Sequence, residues 1–418
     1  MIKVLYSFAA LLLLSGSVSA EPFDDFFSDG FPVMETAEQK NFSVSGYLEE
    51  TYRHYTVESE ALQNRQKLFM EQQYKTELIR EYASVILEND FEKEYGHKLT
   101  GRLDEAYLTL DTRRLDVIAG KKMLRWGTGD GINPLDLINP RDPDNLFSTA
   151  RSDSREAILL TDFIYTADRL TFELVLIPRA EVMSLPEYGN PWLDPSLKAM
   201  YEAKAAGLID INYDDKPDGA EAAMRVYGTF GSVDLGLIYF TGYDDSPFYK
   251  RAGNIYTVEY KPMTALDINF AAGFEKSTLR GELSVKPGKY VQQTDIPEKH
   301  DYYEWVLGYD INFRNTGYLN FQLFGTYLKG DDLPSDRETR GVSFEISEKY
   351  FQDDLKTGIR STVYFTDNSG AAELFFSYKY GDNLELTAGY MDIFGQVEDI
   401  YGRYNENDFV YVGMKYSF

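Results

Sequence analysis

Residues 408–418 read DFVYVGMKYSF. Every second residue from Val410 is apolar or aromatic: Val410, Val412, Met414, Tyr416, Phe418. The interleaved set is Phe409, Tyr411, Gly413, Lys415 and Ser417, which is mixed and partly polar. A period of two is that of an extended strand whose two faces meet different surroundings. The apolar face runs unbroken to the final aromatic.

The same rhythm recurs upstream. Met224, Val226, Gly228 and Phe230 lead into a Gly231-Ser232 turn, and Val233, Leu235, Leu237 and Tyr239 lead out of it. Residues 255–261 turn at Pro262-Met263 into 266–274, and 303–313 turn at 315–317 into 319–327. Residues 342–346 turn at 352–354 into 355–365, and 372–380 turn at 381–383 into 384–390. Hairpins are also expected at 103–110 with 115–122, and at 158–165 with 170–176. Residues 42–55, 67–82 and 84–95 are more highly charged strand candidates. Short connections alternate with long ones at 242–251, 277–300, 329–340 and 396–407. That alternation predicts an all-β, transmembrane, antiparallel up-and-down barrel with tight turns at one end and long loops at the other. The count is about eighteen strands, or sixteen if the charged segments before Gly96 are not strands. A soluble sandwich would need a shared apolar core, not an apolar outside.

The final aromatic and its alternating apolar residues resemble the ending of bacterial outer-membrane β-barrel proteins. The resemblance implies that Tyr416 and Phe418 belong to the signal read by the barrel-assembly machinery. It also implies that the last strand closes on the first. The aromatic content, 33 Tyr and 27 Phe, suits girdles at the two membrane–water boundaries.

The beginning of the chain agrees with export. Lys3 precedes an apolar run over 4–14, and Val18 and Ala20 are small residues placed for cleavage after Ala20. The run is too short to span a bilayer. Residues 1–20 are read as a signal peptide, 21–40 as an acidic periplasmic lead-in, and 41–418 as the barrel. The lead-in is too short for a plug domain, which argues against active uptake. Lys3 is the only charge in the first segment, so cleavage moves the net charge from −26 to −27. An acidic chain is ill suited to nucleic acid. The mean hydropathy of −0.39 does not exclude a barrel, because only alternate residues of its wall face lipid. The absence of Cys removes thiol catalysis and thiolate metal sites.

If the apolar set faces lipid, the other set faces a wet lumen. That set includes Arg225, Glu304, Asp310, Lys356, Arg360, Glu373, Lys379 and Lys415. Charges of both signs there suit a channel for small hydrophilic or charged solutes. The alternative is a lumen filled by its own ion pairs, in a non-conducting barrel that serves as a structural or interaction partner, such as a sleeve for an export or electron-transfer component.

The most distinctive stretch is 125–142, RWGTGDGINPLDLINPRD. Its glycines permit sharp turns, and Asn133-Pro134 and Asn139-Pro140 are turn starters with Asp136 and Asp142 close behind. The Trp-Gly, Asn-Pro and Asn-Pro-Arg-Asp segments resemble those of a porin-like outer-membrane family of unassigned function. Such an early loop is expected to fold inward as a constriction. Arg125, Arg141, Arg151 and Arg155 would then face Asp130, Asp136, Asp142, Asp144 and Asp153 in a local field. An outer loop with self-paired charges is the alternative.

Asp210, Asn212 and Asp214 alternate like oxygen ligands of a calcium loop, but Asp215 stands where the turn Gly belongs. Asp194-Pro195 reads as a helix start and Gly207 as its stop. No nucleophile motif accompanies His54, His97 or His300, so no enzyme and no cofactor is expected. Expected partners are outer-membrane lipids, the assembly machinery and small solutes. The sequence leaves homo-oligomerisation open.

Overall fold

The computed structural model describes residues 41–56, 60–127, 129, 132–145, 154–213, 217–292, 295–314, 316–330 and 338–418. The segments read as signal peptide and lead-in lie outside them. Residues from Val44 onward form one compact unit.

The first half of the wall is β1 (Phe42–Tyr55), β2 (Ala61–Lys75), β3 (Ile79–Asp90), β4 (Leu99–Asp111), β5 (Leu115–Lys122), β6 (Ile158–Ala167) and β7 (Leu170–Ile177). The helix α1 (Pro195–Ala205) and the short strand β8 (Asp210–Tyr213) follow. Next come β9 (Glu221–Phe230), β10 (Val233–Tyr243), β11 (Phe248–Ala252), β12 (Ile255–Glu259), β13 (Pro262–Gly273) and β14 (Ser277–Val291). The second half ends with β15 (Glu298–Phe313), β16 (Gly317–Lys329), β17 (Glu338–Tyr350), β18 (Leu355–Tyr364), β19 (Ser369–Tyr380), β20 (Leu384–Phe394) and β21 (Phe409–Ser417).

Eighteen of these strands form one sheet, and β8, β11 and β12 form a separate small one. In the large sheet β7 pairs with β9, β10 with β13, and β21 returns to β1, all antiparallel. The sheet is therefore a closed antiparallel barrel. Closure satisfies every strand edge, which a bilayer demands because it offers no hydrogen-bond partner.

One face of the wall is apolar and uncovered. On β10, Leu237 is 60% exposed while its neighbour Ile238 is buried. The register sets Leu237 beside Val226 of β9 and Ile268 of β13. Exposed Leu266, Phe321, Ile346, Ile359, Phe376 and Val410 continue the band around the barrel. Leaving apolar area in water costs roughly 25 cal/mol per Å², and a monomer in water rarely shows a contiguous apolar patch beyond a few hundred Å². A girdle of this kind calls for hydrocarbon around it. No described helix is long and apolar enough to cross a membrane, which has no bearing on a barrel.

The strand count is eighteen, but two expected assignments were exchanged. Residues 255–261 are not wall: β12 belongs to the small sheet, pairing with β11 and, in parallel, with β8. Residues 277–300 are not a loop: β14 occupies Ser277–Val291 and pairs along its length with β15. Pro287 and Gly288 obscure this strand in the sequence, because they sit at a register shift between Lys286 and Lys289. The expected strand at 67–82 also spans a turn. Thr76 makes that turn without Gly or Pro: its hydroxyl oxygen accepts from the backbone N of Ile79 at 3.0 Å. The helix has the expected ends. Asp194 caps Ser196 N at 2.8 Å, and Gly207 takes a φ of 70° after the last turn.

Candidate functional site

Residues 123–157 connect β5 to β6 and fold back onto the wall. Leu124, Trp126, Leu135, Leu137 and Ile138 are buried in one cluster with Ile158, Leu160, Val175, Ala223, Phe240 and Ala265. The latter residues lie on the wall face that alternates with the exposed apolar band. The cluster thus seats the segment on β6, β7, β9, β10 and β13.

Polar bonds fix the same placement. The Trp126 indole Nε1 donates to Glu173 Oε1 at 3.0 Å, and Arg225 donates to Glu173 Oε2 at 2.9 and 2.5 Å. Arg225 lies 5.1 Å from the Trp126 ring centre and 4.3 Å from that of Tyr227. The backbone N of Gly129 donates to Glu282 Oε1 at 2.9 Å. Close approach requires glycine at Gly127, whose φ is 90° and whose added Cβ would fall 2.2 Å from Asn133 Oδ1.

Asn139, fully buried, ties the ends of the segment together. Its Oδ1 accepts from Leu124 N at 2.8 Å and its Nδ2 donates to Glu156 O at 2.7 Å. Asn133 accepts from Leu135 N at 3.0 Å and Asp142 from Asp144 N at 2.9 Å, turn closures that short polar side chains favour.

The expected arginines and carboxylates separate into two groups. Arg155 is a staple: it pairs with Asp136 at 2.9 Å, lies 3.9 Å from Asp245, and donates to Asn139 O at 2.7 Å. Burial lowers the Arg155 pKa, chiefly against the opposing pull of Asp136. Burial pushes Asp245 up to about 8; Asp244 and Glu221 add to the rise while Arg155 and Arg141 oppose it. Asp142 is buried and occupied by its own turn. Arg125 and Arg141 are exposed, and among the described residues neither has a carboxylate at ion-pair distance. The Arg141 charge reaches Tyr401, where it works against the rise that burial gives the phenol. Asp130, Arg151 and Asp153 lie outside the described residues.

The charged wall set is largely paired across neighbouring strands. Arg360 pairs with Glu373 at 2.6 Å, and Tyr411 Oη donates to Glu373 at 2.6 Å. Lys356 pairs with Glu345 at 3.0 Å, Arg280 with Asp310, and Lys286 with Glu304. Asp310 also accepts from Tyr318 Oη at 2.9 Å. Lys415 stands 4.0 Å from the Tyr47 ring centre, while Lys379 is exposed and opposite Glu385 in the register. On the apolar face, Tyr416 and Phe418 are 44% and 50% exposed.

Asp210 and Asn212 lie on the extended strand β8, and Asp214 lies outside the described residues. No group of three or more potential ligands among His, Cys, Asp and Glu converges among the described residues. Sequence reasoning missed Glu173, Glu282 and Asp245 as anchors of the segment. Alternation could have placed Glu173 and Glu282 on the charged face, but nothing local marks their partners.

No protein-family model and no curated protein matches the chain by sequence. Solved structures resemble it in fold. OpdK, an outer membrane protein of Pseudomonas aeruginosa solved with vanillate, gives a TM-score of 0.57 at 8% identity over 91% of this chain and 99% of its own. OccD3 (OpdP) of the same organism gives 0.55 at 9% identity, covering 91% of each chain. OccAB4 of Acinetobacter baumannii gives 0.54 at 9% identity over 91% of this chain and 99% of its own. The shared feature is the architecture: a large closed barrel of the kind found in known Gram-negative outer-membrane porins.

Proposed function

We propose that this protein is an outer-membrane channel for passive diffusion of small charged or hydrophilic solutes, with the charged face lining the lumen and residues 123–157 narrowing it. The observation that carries the reading is the seating of that segment on the charged face by Trp126, Glu173 and Glu282. The apolar girdle and the porin-like fold support the membrane setting. Residues 1–20 would direct export to it, and Tyr416 and Phe418 would present the assembly signal.

The pairing within the segment leaves two arginines open to a passing solute. Asp136 is neutralised by Arg155, and Asp142 is spent on its turn, whereas Arg125 and Arg141 stay exposed. The segment as a whole holds four arginines against six carboxylates, and its exposed positive sites among the described residues are these two arginines. Reversal potential in a KCl gradient tests this. Arg141→Ala should shift it toward cation preference, and an unchanged value would reject the constriction.

A second reading, a non-conducting barrel, is favoured by a long connection that docks on the far wall through Trp192. Planar-bilayer recording separates the two.

A further inference from the structure

The connection between β7 and β9 does not stay beside its own strands. Its near end is held there: Ala180 N donates to Gly219 O at 2.9 Å, and Tyr260 Oη donates to Met183 O at 2.7 Å. Midway, Asn190 Nδ2 donates to Asp144 Oδ1 at 2.5 Å, and Gly189 lies against Tyr95. The far end is Trp192, only 3% exposed, in a cluster with Ala371, Met391, Ile393 and Phe409. Those residues belong to β19, β20 and β21. In wall order β9 is eighth and β20 seventeenth, so the two stand nine strands apart in a ring of eighteen. The chain then turns back through α1, where Tyr201 Oη donates to Pro186 O at 3.1 Å.

We infer that residues 178–194 are a releasable strap across the barrel, closed when Trp192 seats on the opposite wall. The inference rests on the channel reading and adds a gate to it.

The character of the clasp argues for release. Residues 180–187 form no helix and no strand, and in place of a backbone ladder they have two separate backbone bonds at the near end, Ala180 N to Gly219 O and Met183 N to Asp245 O. At the far end the indole meets Tyr404 at 6.0 Å and Phe409 at 6.4 Å between ring centres. Two side chains of the β20–β21 connection add to the hold: Asn407 Nδ2 donates to Pro191 O at 2.6 Å, and Arg403 pairs with Asp194. An open cleft lined by Tyr188, Leu193, Lys198, Arg403 and Asn407 lies against the clasp. Irregular backbone fastened by a few side chains is the part of a structure that opens at lowest cost, while the laddered wall around it stays intact. The positions of β7 and β9 do not depend on Trp192, so the strap can lift without disturbing the barrel.

The test is single-channel recording in KCl with the full-length protein. Trp192→Ala should raise the time spent at the higher conductance level by about tenfold or more. The chain has no cysteine of its own, so Asp194→Cys with Arg403→Cys can be joined cleanly by a short bismaleimide. The joined protein should stay at the lower level, and the unjoined double variant should open. Identical conductance records for wild type, Trp192→Ala and the joined protein would overturn the strap while leaving the channel standing. Absence of current from all of them, together with a variant whose strap is deleted, would overturn the channel reading and the strap with it.

Discussion

Gly46 and Phe418 close the barrel between them. Gly46 N donates to Phe418 O at 3.0 Å, and Phe418 N donates to Gly46 O at 2.9 Å. The Phe418 ring lies over the glycine, and a Cβ added at Gly46 would meet it at 3.0 Å and the Phe69 carbonyl oxygen at 2.4 Å. The aromatic end thus needs a partner strand with no side chain at that point.

Gly46→Val should therefore strain the seam. The expected loss is about 1–3 kcal/mol, the usual cost of forcing extra volume into a packed position. Mobility on gels with and without heating reads the folded fraction, and urea unfolding in micelles reads the loss. Stability equal to wild type would show that the seam yields freely.

Trp126→Ala removes a buried indole and one of the donors to Glu173. Loss of a buried aromatic costs about 3–5 kcal/mol, and here the cost falls on the seating of residues 123–157. Limited proteolysis should cut the segment faster while the wall stays resistant. Trp126→Phe should keep much of the packing and restore part of the protection.

Arg155→Ala should act on stability, in contrast to the selectivity effect expected at Arg141. It leaves Asp136 without its cation, and breaking a buried pair costs about 3–5 kcal/mol. Unfolding midpoints should fall, and Arg155→Ala with Asp136→Ala should recover part of the loss. If Arg155→Ala moved only the reversal potential, the staple would be wrongly assigned.

The raised pKa of Asp245 gives a pH dependence with a definite sign. Unfolded, the group titrates near 3.8; folded, it holds its proton to about 8. Between those values the folded state binds more protons, so its stability falls as pH rises through the window. Asp245→Asn should flatten that fall. Urea midpoints at pH 5 and pH 8 make the comparison, and a midpoint that rises with pH in wild type alone would contradict the assignment.

The wall was legible because its signal is local. Alternation at Leu235, Leu237 and Tyr239 or at Val410 and Val412 is written in consecutive residues. It failed at β14, where Pro287-Gly288 looks like a loop, and at β12, where Ile255 and Val258 alternate within a small outer sheet. These two errors cancelled in the count. Asn133 and Asp142 were equally legible as turn residues, since each accepts from a backbone N two residues on, whereas the bonds of Asn139 reach Leu124 and Glu156 at the far ends of the segment. The division of labour among the arginines was not legible, because the carboxylates that hold Arg155, Asp136 and Asp245, stand 19 and 90 residues from it in the chain. Trp192 was silent for the same reason: its partners are contributed by three later strands.

Asn139 joins both ends of the 123–157 connection with one carboxamide, so the wall sees a short link whatever is threaded between. On the channel reading proposed above, exchanging the insert would retune the bore and leave the strand registers untouched. A barrel built this way is a socket, and on that reading its selectivity would travel with a cassette.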